Sequence, residues 1–257
     1  VTAQSDGAKS LSCRQYFSRS TQALITALTA PTAHGRLYEV DMRLRPSGRA
    51  GPVATSLAGF ESYQRKEAWT WEHLALTRGR AITGSAAFRE TVERVRQQIL
   101  DEKADWPSIL AGLRDMRARL AEGKPQSGLW DLKRGAGGLQ DIELVAQGMA
   151  VMQNCRAGAT AAQLQSAQSG TAPVRADFAR LARSHDWLSD LRLLHHLICG
   201  TDVQSEAFAE GGLARLRRIM QMGPEVDFKQ MITEHRRQCA EVIAQILGQS
   251  EGQENEG

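Results

Sequence analysis

The chain has 257 residues, of which 42% are hydrophobic, 24% are charged and 5% are aromatic, and its formal net charge is +3. This length is enough to bury a core in one large domain or in two modest ones. The small positive charge allows contact with anionic ligands but does not indicate a nucleic-acid partner. We therefore expect a soluble globular protein that binds no nucleic acid.

The cysteines and the start of the chain indicate a compartment. Cys13, Cys155, Cys199 and Cys239 lie far apart and form no Cys-x-x-Cys pair, which is typical of reduced thiols in a cytoplasmic protein. No segment is apolar for long enough to span a membrane, and the first residues lack the basic start and the apolar run of a secretion signal. Val1 in place of Met is the start expected of a fragment or of a processed chain.

The first third of the chain is predicted to combine a helix with strands. Apolar residues recur at helical spacing from Gln15 to Leu28, and a segment with Pro and Gly ends that helix. From Tyr38 to Arg45 apolar and charged residues alternate, which predicts a strand. A turn follows, and Pro52–Thr55 is expected to return as a short strand.

From Ser56 onward the pattern is helical. Ser56 suits a helix N-cap, and Pro107 suits the first turn of a later helix. The stretch from Ser166 to Pro173 is expected to be weakly ordered. The predicted helices span Leu57–Lys66, Trp69–Arg80, Ala86–Leu100, Pro107–Ala121, Leu139–Met152, Arg175–Cys199 and Glu225–Leu247.

This organisation predicts an α+β protein that is mostly helical. Residues 1–84 are expected to form a small α/β domain, and residues 85–249 a helical domain. Residues 250–257 are polar and are expected to be a disordered tail.

The charged face of the predicted strand carries Glu39, Asp41, Arg43 and Arg45. One interpretation is a solvated face of paired charges. The other is that the carboxylates bind Mg²⁺, which favours carboxylate oxygen, while the arginines meet phosphate oxygens. A lone carboxylate holds Mg²⁺ poorly, so the second interpretation needs further acidic ligands. The alternation alone leaves both open.

A second candidate site is the glycine-rich segment Lys133-Arg134-Gly135-Ala136-Gly137-Gly138, which precedes a predicted helix. Exposed backbone N–H groups and the helix dipole at such a junction suit an anion, and Lys133 adds charge. The alternative is a tight turn with Asp141 in the first helical turn for dipole reasons. The segment is not a Walker A motif, because no Gly-Lys-Ser/Thr ends it.

These segments resemble one family. Tyr38-Glu39-Val40-Asp41-Met42-Arg43-Leu44-Arg45-Pro46-Ser47-Gly48 closely resembles a block of the glutamine synthetase adenylyltransferases, large bifunctional enzymes with two similar nucleotidyltransferase halves. The segments at 51–56, 67–78 and 131–143 extend the resemblance. Glu67-Ala68-Trp69-Thr70-Trp71-Glu72-His73 is similar to the C-terminal half, which adds AMP to glutamine synthetase, whereas the other half removes it.

The resemblance implies a polymerase-β-like nucleotidyltransferase fold, present in part over residues 1–84. In this family a Gly-Ser turn followed by an Asp-x-Asp pair supplies two metal-binding carboxylates, and a later strand supplies a third, which Asp41 matches. No such motif precedes Asp41, and Ser5-Asp6-Gly7 resembles the segment just beyond it. We therefore expect the chain to begin after the first two ligands.

The resemblance also implies a reaction. AMP passes from ATP to a tyrosine of glutamine synthetase, with Mg²⁺ as cofactor and with the PII signalling protein as a further candidate partner. Asp41 would be the catalytic residue. The implied metal ligands are Asp41 and Glu39, and the residues expected near the nucleotide are Arg43, Arg45, Lys133, Gly137 and Gly138.

Since the first two ligands are absent, the isolated chain is expected to be inactive. Two alternatives stay open. One is a relative that uridylylates PII, which shares the Lys…Gly-Gly…Asp-Ile elements. The other is a non-catalytic helical module that docks glutamine synthetase or PII.

Overall fold

The computed structural model describes residues 12–36, 39–170, 172–199 and 211–248. These residues are mostly helical, which confirms the predicted α-rich class. The α-helices are α1 (Cys13–Thr29), α2 (Leu57–Lys66), α3 (Thr70–Leu76), α4 (Ala86–Glu102), α5 (Trp106–Gly123), α6 (Leu139–Met152), α7 (Thr160–Ser169), α8 (Phe178–Cys199), α9 (Gly212–Ile219) and α10 (Phe228–Gly248).

Helix α6 is the centre of the core. It contacts α3, α4, α5, α7, α8 and α10. Ile142, Ala146 and Met149 on this helix are completely buried, and most of its other residues are buried too. A helix that is apolar on nearly all sides needs neighbours all round it, which explains its central position.

The structure shows no break in packing near residue 84. Leu74 of α3 shares one hydrophobic cluster with Leu100 of α4 and Ile142 of α6. Helix α2 also packs on α4. The helices on either side of the predicted boundary therefore bury their apolar faces together, whereas α1 has no buried residue.

Several helix starts lie where the sequence predicts them, because local hydrogen bonds fix them. The Ser56 hydroxyl accepts a hydrogen bond from the Gly59 amide at 3.1 Å and begins α2. Asp105 accepts from the Ser108 amide at 3.1 Å and begins α5, with Pro107 in the first turn. Such caps satisfy N–H groups that a helix leaves without partners.

The strand predicted from Tyr38 to Arg45 is wrong for the residues that the structure describes. Tyr38 lies outside them, and residues 39–45 form coil and turns, as does the predicted return at Pro52–Thr55. Within the described ranges the only strands are β1 (Pro31–Thr32) and β2 (Gly35–Arg36), paired antiparallel with Pro31 opposite Arg36. A strand needs a partner for its backbone, and in this loop the side chain of Arg45 bonds to backbone carbonyls instead.

Three helical assignments also need correction. Helix α3 ends at Leu76, well before the predicted Arg80. Residues 166–169, expected to be weakly ordered, belong to α7, whose buried Thr160, Gln163, Leu164 and Ala167 pack closely on α6 and α8. Helix α9 was not predicted.

The predicted tail, residues 250–257, and Ser5-Asp6-Gly7 lie outside the described residues. The four cysteines are free thiols, as expected. Among the helices that the structure describes, none combines the length and the apolar character needed to cross a bilayer.

Candidate functional site

Asp41 lies in an exposed loop and is held by Arg43. The Arg43 Nε donates to both carboxylate oxygens, at 2.9 and 2.8 Å, and the Arg43 backbone amide donates to Oδ1 at 2.9 Å. The hydrogen bonds from the Arg43 side chain and then from its amide lower the pKa of Asp41 from 3.8 to about 2. Asp41 is therefore ionised at neutral pH, but its oxygens already have a partner.

Arg45 closes the same loop. Its guanidinium donates to the carbonyl of Met42 at 2.6 Å, to that of Gly51 at 3.1 Å and to that of Arg49 at 3.1 Å. Phosphate binding by Arg45 stays a prediction. In a β-sheet these carbonyls would accept hydrogen bonds from a neighbouring strand. In this loop the Arg45 side chain donates those hydrogen bonds instead.

The Asp41 loop, which we define as residues 39–51, meets α2 at Tyr63. The Ser47 backbone contacts the Tyr63 hydroxyl. That hydroxyl donates to the Glu72 carboxylate at 2.9 Å, and Glu72 in turn accepts from the Trp69 amide at 2.9 Å. Burial, and then the hydrogen bond to Glu72, raise the pKa of Tyr63. Part of the block that resembles the adenylyltransferases thus supports the loop.

Glu39 and Asp41 line one pocket, and a metal site formed by this pair stays a prediction. The Glu39 side chain is 91% exposed and lies 4.0 Å from Arg36. Within the described residues no group of three or more His, Cys, Asp or Glu side chains is placed to hold a metal ion. Because Mg²⁺ prefers near-octahedral oxygen ligands, the described residues on their own do not fit this ion.

The glycine-rich segment wraps around a residue that the sequence analysis missed. Arg236 of α10 is 7% exposed and reaches into this turn. Its guanidinium donates to the carbonyls of Asp131 at 2.9 Å, Arg134 at 2.7 Å and Ala136 at 3.3 Å. It also donates to the Gln126 side chain at 2.8 Å. Burial lowers the pKa of Arg236 from its ordinary value, against the opposing charges of Asp131 and Asp141.

The N–H groups expected to bind an anion largely have partners inside the chain. The Gly137 amide donates to Asp141 Oδ2 at 2.9 Å, and the Gly138 amide donates to the Gly135 carbonyl at 3.1 Å. Lys133 is exposed, and its carbonyl accepts from the Gln140 amide at 3.0 Å. Nucleotide contact by Lys133, Gly137 and Gly138 stays a prediction. The structure gives the two glycines a role in the turn.

Gly137 is required where the turn meets α10. Its φ is +68°, and a Cβ added there would lie 2.0 Å from the Arg236 carbonyl oxygen. Asp141, at the start of α6, completes the junction through a fork from Arg117, with Nε to Oδ1 at 2.7 Å and Nη2 to Oδ2 at 3.0 Å. Asp141 therefore has a charge partner in addition to the helix dipole.

Arg236 could have been found from its position in the sequence. It is an arginine on the apolar face of α10, on the same side as the fully buried Ile232, Cys239 and Ile243. An arginine at such a position needs buried hydrogen-bond acceptors. The carbonyls that meet it are about a hundred residues away, and local periodicity does not reveal them.

The Asp41 loop and the glycine-rich turn are not bonded to each other in the structure. No hydrogen bond or ion pair between described residues joins residues 39–51 to residues 133–138. Residues of the Asp41 loop line one pocket and residues of the glycine-rich turn line another, and a nucleotide site shared by both segments stays a prediction.

Comparison with known proteins gives two family matches that do not overlap. The model of the glutamate-ammonia ligase adenylyltransferase family matches residues 1–95. A model described as GlnD PII-uridylyltransferase matches residues 114–249, more than half of the chain. The first match contains the Asp41 loop, and the second contains the glycine-rich turn and Arg236. Both are families of nucleotidyltransferases.

The relatives carry one description, bifunctional glutamine synthetase adenylyltransferase/adenylyl-removing enzyme. The protein of Bradyrhizobium diazoefficiens is 53% identical over 143 residues, 56% of this chain and 14% of the relative. That of Rhizobium meliloti is 52% identical over 153 residues, 60% of this chain and 16% of the relative. That of a Rhodopseudomonas palustris strain is 41% identical over 247 residues, 93% of this chain and 24% of the relative.

The chain belongs to the glutamine synthetase adenylyltransferase family, and its residues 114–249 belong to the domain family described as GlnD PII-uridylyltransferase. It spans 14 to 24% of the length of these three relatives.

The Asp41–Arg43 pair predicts a titration. Replacing Arg43 with Gln removes the main hydrogen bonds to the carboxylate, so the pKa of Asp41 should rise from about 2 towards 3.8. The measurement is the side-chain carbon chemical shift of Asp41 by NMR as a function of pH. Arg49→Gln is the matched control, because Arg49 is a weaker influence and should raise the pKa less. Equal changes in the pKa of Asp41 in the two variants would show that the Arg43 side chain does not form these hydrogen bonds.

The turn predicts a contrast between two glycines. Gly137→Ala should lower the free energy of unfolding by about 3 kcal/mol or more, because it adds both backbone strain and overlap with α10. Gly123→Ala on α5 meets nothing within 4 Å and should be neutral or stabilising by up to about 1 kcal/mol. Urea unfolding followed by circular dichroism measures both. A tolerated alanine at 137 would mean that the turn does not approach α10 closely.

Proposed function

We propose that this chain is a segment of an enzyme that transfers AMP from ATP to a tyrosine of glutamine synthetase. The phenolic oxygen bonds to the α-phosphorus, the bond to pyrophosphate breaks, and the phenolic proton is lost. The observation that carries the proposal is the ionised Asp41 on a loop that meets α2 at Tyr63, within the residues that match the adenylyltransferase model. Free thiols are compatible with action in the cytoplasm.

The described residues contribute position and charge. The Tyr63–Glu72 hydrogen bond joins α2 to α3, and the Ser47 backbone of the Asp41 loop contacts the Tyr63 hydroxyl. Arg43 adds a cation that phosphate oxygens of ATP can share with Asp41. Mg²⁺ belongs to the proposal only with acidic ligands from outside the described residues.

A second candidate function is a docking module formed by residues 114–249, which match a family whose description names PII. The helices of this region have a continuous core and no metal cluster among their described residues. A module of this kind would dock glutamine synthetase or PII without catalysing the transfer. Such docking needs neither Asp41 nor ATP, which separates it from the leading proposal.

A chimera tests the adenylyl transfer. The 247 aligned residues of the Rhodopseudomonas palustris relative are replaced by those of this chain, and AMP transfer from radiolabelled ATP to glutamine synthetase is measured. Asp41→Asn should reduce the rate at least about a hundredfold, which corresponds to about 2.7 kcal/mol of transition-state stabilisation. Asp115→Asn, an exposed acid on α5 paired with Arg119, should leave the rate unchanged.

Three further arms complete the experiment. The 257-residue chain by itself is expected to transfer no AMP, because its described residues hold no acidic cluster for a metal. UTP with PII should give no product with the chimera. Transfer by a folded chimera that survives Asp41→Asn, or uridylylation of PII, would contradict the proposal. A folded chimera that binds glutamine synthetase without modifying it would support the docking module.

A further inference from the structure

A cleft of about 580 Å³ lies between α5, the glycine-rich turn, the start of α6 and the end of α10. This volume is in the range of small-molecule sites, about 300 to 1,000 Å³. No residue of the Asp41 loop lines the cleft. It is therefore separate from the part of the chain to which we assign adenylyl transfer, and a ligand of the cleft does not depend on that assignment.

The lining of the cleft has an excess of positive charge. Arg114, Arg117, Lys124 and Arg134 face one lining carboxylate, that of Asp141. Arg117 pairs with Asp141 at 2.7 Å, and Arg134 pairs at 2.7 Å with Asp131, which is not part of the lining, so at least two of the four cations are engaged by carboxylates. An anion entering the cleft would therefore meet an attractive field.

The arginines of the cleft are already held in place. The Asp141 partner of Arg117 is 6% exposed, and Arg134 is held at 2.7 Å by Asp131, which is 4% exposed. The Arg114 Nε donates to the Leu247 carbonyl at 3.1 Å. Because these side chains are fixed before a ligand arrives, binding loses little of their conformational freedom.

Lys124 is the adaptable cation of the cleft. It is exposed at the end of α5, and its ammonium group forms no hydrogen bond or ion pair with any described residue. An ammonium group on a flexible stem can close on an oxyanion as a point charge. This residue is therefore the one whose removal affects a ligand without breaking an internal pair.

Apart from Gln140 and two glycines, the remaining lining is aliphatic. Leu120, Leu144 and Leu247 and several alanines form it, and none of the described residues that line the cleft is aromatic. A nucleotide base would find no stacking partner there, whereas a short aliphatic chain would bury apolar surface. The charge and the lining together select a ligand with one anionic end and one apolar end.

We propose that this cleft binds a small amphiphilic anion, a phosphate or carboxylate group on a short aliphatic chain. The oxyanion lies among Arg114, Lys124 and Arg134, and the aliphatic part lies on the leucines. Neither family description names a ligand of this kind.

The test is calorimetric titration of the 257-residue chain with hexyl phosphate, hexanoate, inorganic phosphate and hexanol. Hexyl phosphate or hexanoate should bind at least about tenfold more tightly than inorganic phosphate or hexanol, which equals about 1.4 kcal/mol. Whichever of the first two binds more tightly identifies the anionic group. Added salt should weaken this binding.

Two variants of α5 and its C-terminal end form a matched pair. Lys124→Glu should weaken the binding of the tighter amphiphile about tenfold. Arg119→Glu makes the same change in charge nearby, outside the cleft, and should change it less than about twofold. Ala121→Trp, which fills the apolar part, should abolish the advantage of the amphiphile over inorganic phosphate. Thermal unfolding of each variant verifies that it is folded.

Some results would overturn the proposal. If the amphiphiles bind no more tightly than inorganic phosphate, the apolar lining does not contribute to ligand binding. If Lys124→Glu and Arg119→Glu weaken binding equally, the attraction belongs to the whole surface and not to the cleft. If none of the four probes binds, the cleft has no ligand of this class.

Discussion

The buried guanidinium of Arg236 is the constraint on which the centre of this structure depends. It projects from α10 into the glycine-rich turn and satisfies three backbone carbonyls and one amide oxygen. The acceptors replace the water molecules that the guanidinium loses when it is buried. Without the guanidinium, the same buried acceptors would have no hydrogen-bond donor. The turn begins α6, and α6 is the helix around which the other core helices pack. One side chain thus bonds to the turn that leads into the central helix.

The same arrangement gives the glycines of the turn a structural role. A glycine-rich segment before a helix suggests a phosphate site, because its N–H groups are free in many proteins. Here Gly137 has a positive φ and a carbonyl of α10 immediately beside it, and its amide serves Asp141. The anionic partner of the turn is therefore a carboxylate of the chain itself. The cleft proposed for an external anion lies on the side of the turn that faces α5.

Local signals predicted much of the helical structure. Ser56, Asp105 and Ser85 each cap a helix through a hydrogen bond to an amide three residues later, so these starts are encoded within a few residues. Helix α7 was missed because its buried residues include Thr160, Gln163 and Ala167, which give little apolar periodicity. Its helical form depends on the neighbours α6 and α8.

The candidate site was harder to predict from the sequence than the helices were. Alternation around Asp41 suggested a strand, but residues two apart can also pair across a turn, as Asp41 and Arg43 do. Resemblance pointed correctly to the family, because its blocks are long and ordered. It did not show that Tyr63 contacts the loop or that Arg236 occupies the turn. These contacts join segments that are distant in sequence or that differ in secondary structure.

The central claim is that Arg236 holds the turn, and its replacement tests this most directly. Arg236→Met keeps much of the length of the side chain but removes every hydrogen bond, and it should lower the free energy of unfolding by about 3 kcal/mol or more. Arg237→Met, the next residue, removes an exposed arginine paired with Glu234 and Glu241 and should leave the urea midpoint nearly unchanged. Amide hydrogen exchange in residues 134–142 should accelerate in the first variant alone. Equal midpoints for the two variants, with unchanged exchange in the turn, would contradict the claim.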